Sequence, residues 1–576
     1  MSEKSENSKV PKTGGDLLIE CLLQENVKYL FGIPGGQLLP MYDAVFRWGK
    51  EKGIQTILVR HEQAAAHAAD AYARVTGELG VCFGTVGPGV TDMVPGVGAA
   101  WSDNTPLLVI GAQVKRVLDG KSTLQGDLDQ ITLMKPITKA QLRIQNPLEI
   151  PKIIPRAIRI AFSGQMGPVY VDIREEAFYG QVPSDAKYEI LSPDKYRPQL
   201  GVAGDSKAIE EAIKLIKNAK KPLIICGGEV NCYNASEELK KLSEKYAIPA
   251  ATSGTGIGGI SSDSPTHLGA GAISDAVMNA ANNADVVISV GCKWDYTMGL
   301  GLPPLWPKNQ ELIQINIDPS EIGKNRPVDV GIVGNCKTIL NQLLEKLEGE
   351  ISENCFSEWN IDQQEKKEDA LKRRLKKFNS ENVPILPERF IKEIFEFFPS
   401  NSIIIMDSGN TSFYAAEQMD LYKPRPPRST LASVGMGHLG AGIGFALGAK
   451  LAYPDRQTVV MQGNGSFLFN VQELDTAMRY NLPFIVVIAN DNAWGMIKSG
   501  QSMFSGKRYL NVDIPNIDYA AIAKGFGCYA ETVVKPEEIK PALQRAVNSG
   551  KASVINVKIK WDTPKATKTL FNLGII

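Results

Sequence analysis

Between Gly15 and Arg174, short β-branched runs alternate with stretches whose apolar residues recur at helical spacing. The runs are Val27–Gly32, Thr56–Arg60, Gly80–Thr85, Leu107–Gly111 and Val169–Ile173. Strand-length runs separated by helix-length segments predict parallel strands joined by helical crossovers. After a Pro-containing stretch, Ser192–Gly204, the pattern resumes with runs at Pro222–Cys226, Val286–Val290 and Ile313–Ile317. From Leu344 to Asn382 charged residues dominate (EKKEDALKRRLKKF) at helical spacing, which predicts a solvated helical linker. A third alternating stretch runs from Pro387 to Lys560, with strands expected at Ser402–Met406, Thr458–Gln462 and Pro483–Asn490. The expected fold class is α/β: three doubly wound parallel-sheet domains, at 14–185, 200–345 and 386–562, with the linker at 346–385. No internal repeat is visible at a period of about 20 to 50 residues, so solenoids and propellers are excluded.

Length agrees with this division, since 576 residues make three or four domains at about 150 residues each. The 63 basic and 63 acidic residues cancel, leaving no global field to hold nucleic acid or an anionic membrane. Eight cysteines (Cys21, Cys82, Cys226, Cys232, Cys292, Cys336, Cys355, Cys528) lie scattered without a CxxC pair, against a zinc ribbon or a disulfide framework. They read as buried thiols in a reducing compartment. Met1–Gly15 is polar and lacks an apolar targeting core, and no uninterrupted run of about 18 apolar residues occurs. A cytoplasmic protein is expected. With only His61, His67, His267 and His438 available, any metal should be held by oxygen atoms.

The most informative stretch is Val459–Ile497, VVMQGNGSFLFNVQELDTAMRYNLPFIVVIANDNAWGMI. A β-run ends at Gln462, Gly463-Asn464-Gly465-Ser466 turns tightly, and a helix is expected through Tyr480 before a second run ends at Asn490-Asp491-Asn492. A strand, a glycine turn and a helix start offer free N–H groups and a favourable dipole to a phosphate. Neighbouring parallel strands present their C-terminal ends to one crevice, so Asn464, Asp491 and a nearby carbonyl could bind a hard cation there. A glycine turn alone is an ordinary βα connection; the spaced Asn-Asp cluster makes it specific.

On these residues the chain resembles the thiamine diphosphate enzymes, whose signature is Gly-Asp-Gly followed some 27 residues on by Asn-Asn. Here Asn464 stands for the family's Asp and Asp491 for its second Asn, so one carboxylate and one carboxamide are kept. The resemblance therefore implies thiamine diphosphate and Mg2+, the metal held by Asn464, Asp491 and the backbone carbonyl of Ala493, with Gly463, Gly465, Ser466 and Phe467 around the diphosphate. In LVRHEQAAAHAADAYARVTG (Leu58–Gly77) it implies that Glu62 activates the cofactor's pyrimidine ring, a task that calls for an apolar pocket and a raised pKa. A Glu at a helix start is ordinarily a cap, and only the surrounding motif assigns it chemistry. His61, His67 and His438 are read as structural.

Further stretches are similar to the acetolactate synthase branch. FGIPGGQLLPMYDA (Phe31–Ala44) resembles the glycine loop near the thiazolium, with Gly35 and Gly36; Gly84–Val114, with Pro88, resembles the loop beside the activating Glu. LQGDLDQITLMKPITK (Leu124–Lys139) implies that Gln125 lines the pocket, and INIDPSEIGKN (Ile315–Asn325) resembles the nucleotide-side segment of the middle domain. MGHLGAGIGFALGAK (Met436–Lys450) places Leu439 as the wedge that bends the cofactor, and Met496 matches a methionine near substrate. Without the resemblance, Leu439 and Met496 would be read as core.

The resemblance implies pyrimidine-binding, central Rossmann-like and diphosphate-binding domains. It also implies decarboxylation of a pyruvate-like 2-oxoacid with carboligation to a second carbonyl, in a homodimer or homotetramer whose sites are shared between subunits. Two stretches, LQGDLDQ and ASVGMGHLGAG, lean instead toward benzaldehyde lyase, oxalyl-CoA decarboxylase and 2-hydroxyacyl-CoA lyase. Those point to cleavage of 2-hydroxyketones, 1,2-diones or acyl-CoA substrates, and a non-catalytic relative is a further alternative. Gly500 stands where acetolactate synthases place a Trp that recognises the acceptor. The middle domain is left open to FAD or ADP: Lys293, in GCKWDYTMG, replaces the branch's Arg, and an ammonium lacks the guanidinium's paired donors. A nicotinamide-dependent dehydrogenase would need GxGxxG directly after a strand and an acid about 20 residues on; GTGIGG (Gly254–Gly259) has the glycine spacing and could pass close to a nucleotide, but none of the expected strands leads into it.

Overall fold

The computed structural model describes residues 10–126, 128–197, 201–271, 274–407, 409–422 and 424–575. The polar start of the chain up to residue 9, part of the Ser192–Gly204 stretch and the expected domain start at residue 200 lie outside them. Among the described residues, eighteen strands form three six-stranded, wholly parallel sheets.

The first sheet holds β1 (Tyr29–Gly32), β2 (Gln55–Leu58), β3 (Gly80–Gly84), β4 (Leu107–Gln113), β5 (Gln141–Ile144) and β6 (Val169–Arg174), in the order β2-β1-β3-β4-β6-β5. The second holds β7 (Pro222–Cys226), β8 (Ala250–Thr252), β9 (His267–Ala270), β10 (Val286–Val290), β11 (Glu311–Asn316) and β12 (Val330–Val333), in the order β12-β11-β10-β7-β8-β9. The third holds β13 (Ile403–Met406), β14 (Thr430–Ala432), β15 (Thr458–Gly463), β16 (Ile485–Asn490), β17 (Tyr529–Val533) and β18 (Ser553–Lys558), in the order β14-β13-β15-β16-β18-β17. The first and third sheets thus share one topology. The second has the dinucleotide-fold order, with its switch point between β7 and β10.

Central strands are covered on both faces, so β4, β10 and β16 are apolar nearly throughout and entirely buried. Their cores are built the same way, as in the first sheet, where Leu18, Leu22, Phe83, Ile110, Ile154 and Val171 pack together. By contact the described residues group into two compact units, one holding 10–197 with 443–454 and 470–482, the other the remainder with the second and third sheets. Within the former, Gly444 and Gly448 of the helix Ala441–Ala452 lie against Ala64 and Ala68 of the helix Glu62–Thr76. A Cβ at 448 would meet the Ala68 carbonyl at 2.0 Å.

Three expectations need correction. The charged stretch forms the helix Ser357–Phe378, but it is docked on one face instead of being solvated all round. Trp359 is buried and donates to the Pro222 carbonyl at 2.9 Å, Lys367 Nζ reaches the His267 carbonyl at 2.8 Å, and Arg374 pairs with Glu417 at 2.6 Å. The helix expected through Tyr480 is broken: Asn464–Phe467 is one short turn and Glu473–Arg479 is another helix. Between them Phe469 turns its ring edge-on to Trp494 and Asn470 is buried, while the backbone closes i→i+3 bonds such as Phe469 N–H to Ser466 O. The cysteines are all free, but Cys355 is exposed and Cys232 half-buried. Among the described residues no helix is long and apolar enough to cross a membrane.

Candidate functional site

At the C-terminal ends of β15 and β16 a cavity of about 190 Å³ opens. The two strands are paired with Gly463 opposite Ala489, which sets Asn464 and Asp491 at the same edge. Asn464 is almost fully buried, beside the Tyr519 hydroxyl. Asp491 accepts the Ala493 N–H on Oδ1 at 3.1 Å. Desolvation pushes its pKa up to about 6, so the site holds a carboxylate that a cation would repay. A Cβ at position 495 would lie 2.7 Å from Asp491 Oδ2, so a larger residue there would push the carboxylate aside. Among the described residues no cluster of three or more His, Cys, Asp or Glu could hold a metal. A carboxylate, a carboxamide and a backbone carbonyl make an all-oxygen donor set suited to Mg2+.

Gly463, Gly465, Ser466, Leu439, Ala493 and Met496 line the same cavity. Phe467 does not: it is fully buried beneath, edge-on to Tyr519, and serves the core. Leu439 is held by a buried carboxylate that the sequence reading missed. Asp407, at the end of β13, accepts Gly440 N–H at 3.0 Å, Gly442 N–H at 3.1 Å and Gln462 Nε2 at 2.7 Å, and so fixes the start of the helix behind Leu439. His438 Nδ1 lies 2.6 Å from the Leu439 carbonyl, and burial lowers its pKa. A second, mainly apolar cavity of about 300 Å³ shares Gly409, Gly437 and Met496 with the first and is lined further by Ile257, Phe413 and Val434.

In the other compact unit, the C-terminal ends of β2, β1 and β3 carry Glu62, Gly35-Gly36 and Gly87-Pro88. Glu62 opens its helix behind the cap His61, whose Nδ1 accepts Gln63 N–H at 3.2 Å. The carboxyl is buried, and desolvation raises its pKa with a smaller contribution from Asp92. Gly35 passes so close to Thr85 that a Cβ would lie 2.2 Å from its Oγ1, whereas Gly36 is open. Pro88 starts its helix after Gly87, whose φ of 74° needs no Cβ. Gln125 sits on an exposed turn with φ 64°. The buried glutamine of that stretch is Gln130, which accepts Gly87 N–H at 2.7 Å and donates to Ala112 O, Tyr170 Oη and Asp172 Oδ1 at 3.0 Å each.

The contacts at the middle sheet's switch point lend no support to a flavin or ADP diphosphate there. The turns after β7 and β10 touch: Gly227 N–H bonds Val290 O at 2.8 Å, and a Cβ at 227 would meet Gly291 O at 2.1 Å. Glu229 fills what is left, accepting Ile317 N–H at 3.2 and 3.3 Å from the end of β11. Burial pushes its pKa up to about 8. Because the unfolded value is 4.5, the folded chain alone carries this proton between pH 4.5 and 8 and gains stability as pH falls through that window. Glu229→Gln should therefore melt higher than the natural chain at pH 9, the advantage shrinking toward pH 5. An equal difference at both pH values would show an ordinary carboxyl.

Three family models match in sequence order. The thiamine pyrophosphate enzyme N-terminal binding domain covers residues 12–133, the central domain 209–343 and the C-terminal binding domain 407–557. A "Probable acetolactate synthase large subunit" of Methanococcus aeolicus is 37% identical over 562 residues, 95% of this chain and 92% of its own length. The chain belongs to the thiamine pyrophosphate enzyme family, among its acetolactate synthase-like members. The acetolactate synthase large subunits of Corynebacterium glutamicum (34% over 550 residues, covering 93% of this chain and 84% of theirs) and Haemophilus influenzae (32% over 559, 96% and 94%) agree. The N- and C-terminal models fall on the two sheets of shared topology, and the cavity at β15 and β16 lies inside the C-terminal match.

Proposed function

We propose that this enzyme uses thiamine diphosphate and Mg2+ to decarboxylate a pyruvate-like 2-oxoacid and join the fragment to a second carbonyl. The observation that carries this reading is the convergence of Asn464, Asp491 and Ala493 with the Gly463–Ser466 turn and Leu439 on one cavity. When bound, the cofactor supplies a carbon nucleophile and an electron sink for carbon dioxide loss. Asn464, Asp491 and the Ala493 carbonyl hold the cation. Gly463, Gly465 and Ser466 would give the diphosphate N–H and hydroxyl donors, and Leu439 would be the apolar wedge against the cofactor. Glu62 moves a proton at the pyrimidine ring, with Gly35, Gly36 and Pro88 shaping the loops around it and Gln125, on its exposed turn against Gly87, at the edge of that site. Met496 borders the substrate and also lines the second, mainly apolar cavity. A homodimer is the minimal active unit and a tetramer is equally compatible, working in the cytoplasm on small molecules.

The test is carbon dioxide release and product mass from the purified chain with thiamine diphosphate, Mg2+ and pyruvate. Release with acetolactate as product is expected. No release would move the reading to cleavage of 2-hydroxyketones or acyl-CoA substrates. Gly500 bears on the acceptor: a Cβ there would stand 3.5 Å from the Phe571 ring, leaving only an ordinary contact. Gly500→Trp should shift the product ratio when two 2-oxoacid acceptors compete, and an unchanged ratio would remove position 500 from the acceptor pocket.

A further inference from the structure

We propose that the helix Glu473–Arg479, with Tyr480 behind it, is a clamp that positions Glu62 by gripping the backbone of Leu58, Arg60 and His61 just before it. The inference rests on the role given to Glu62 above. Among the described residues β2 is an edge strand, and its exit, Leu58 to His61, has no neighbouring strand on its outer side. Side chains of the clamp satisfy that backbone instead. Tyr480 Oη accepts Leu58 N–H at 2.8 Å and Arg479 Nη1 donates to Leu58 O at 3.0 Å. Glu473 Oε1 accepts both Arg60 N–H and His61 N–H at 3.0 Å, and the Arg60 side chain pairs with Asp475 at 2.8 Å. The next residue is Glu62.

Glu473 is a costly way to tie down a turn. It is fully buried, and desolvation pushes its pKa up to about 7. Its hydrogen-bond donors are the two amides and Thr476 Oγ1, at 2.7 Å from Oε2. A buried acid spent on amides adjoining a proton-transfer group fixes the height and direction of that group, and a displacement of about 1 Å from reacting geometry can cost on the order of a hundredfold in rate. Glu473 and its neighbours are positioning residues and are not among the residues that line the cavity at Asn464 and Asp491.

The experiment compares Glu473→Ala, Glu473→Gln and Glu62→Gln as full-length holoenzymes. It reads kcat, substrate KM, thiamine diphosphate affinity and the rate of hydrogen exchange at the cofactor's thiazolium carbon. Glu473→Ala should lower kcat and the exchange rate by about 10- to 100-fold, with KM and cofactor affinity within about twofold. Glu473→Gln keeps an oxygen for both amides and should recover most of both rates. Unchanged exchange in folded Glu473→Ala overturns the clamp, as does failure of Gln to rescue. If Glu62→Gln itself exchanges at the natural rate, the role of Glu62 falls first, and the two failures are distinguished. Should Glu473→Ala not fold, Tyr480→Phe removes only the acceptor for Leu58 N–H: a lowered exchange rate supports the clamp, and a natural rate overturns it.

Discussion

Glu62→Gln is expected to abolish measurable turnover, a loss of about 10²- to 10⁴-fold in kcat for a proton-transfer group, while the protein stays folded. The carboxyl is buried at the first turn of its helix, and desolvation already disfavours its charge. A carboxamide of the same shape keeps the packing and ends the proton exchange. Stability should change little, because the cap is His61 and the helix is anchored by Ala64 and Ala68 against Gly444 and Gly448. An acid in the first turn contributes only about 0.3–1 kcal/mol through the helix dipole. Circular dichroism and the melting temperature check the fold, and steady-state rates check the loss. Substantial residual activity would take Glu62 out of the mechanism.

What the sequence made legible follows from burial. Strands such as Pro222–Cys226 and Val286–Val290 are covered on both faces and announce themselves as unbroken apolar runs. Those that passed unnoticed are mostly edges or very short. β5 (QLRI) is half-exposed along most of its length, β12 (VGIV) alternates buried and exposed, and β9 contains a glycine at φ 137° beside a register shift. β18 (SVINVK) is the exception, buried and β-branched yet missed because Asn556 interrupts the run. At the site, the Asn464–Asp491 spacing was readable because adjacent parallel strands turn sequence distance into proximity. Asp407 and Glu473 were not, since each acts on backbone amides remote in sequence, and amide partners leave no mark in side-chain pattern. Gln130 lay in a stretch already singled out, but burial and not motif separates it from exposed Gln125.

The second large effect is expected at Asp491, where changing the ligand should weaken Mg2+-supported cofactor binding without touching the core. In Asp491→Ala the only carboxylate of the donor set is gone, and the Ala493 amide loses its acceptor at 3.1 Å, so the third donor's turn is loosened as well. A loss of at least about 100-fold in thiamine diphosphate affinity is expected, since even outer partners of metal ligands are worth about 10- to 100-fold. Asp491→Asn separates the two contributions: it keeps an oxygen for the Ala493 amide but leaves two carboxamides around a divalent cation. The double variant Asn464→Asp with Asp491→Asn restores one carboxylate on the neighbouring strand, 27 residues earlier in the chain, and with it the family's usual order. If the charge of the donor set is what matters, titration calorimetry should rank affinity for the cofactor as natural chain and double variant together, then Asp491→Asn, then Asp491→Ala. A double variant no better than Asp491→Asn would show that the strand bearing the carboxylate matters, not the sum of charge. Unchanged affinity in Asp491→Ala would remove this edge of the sheet from metal binding altogether.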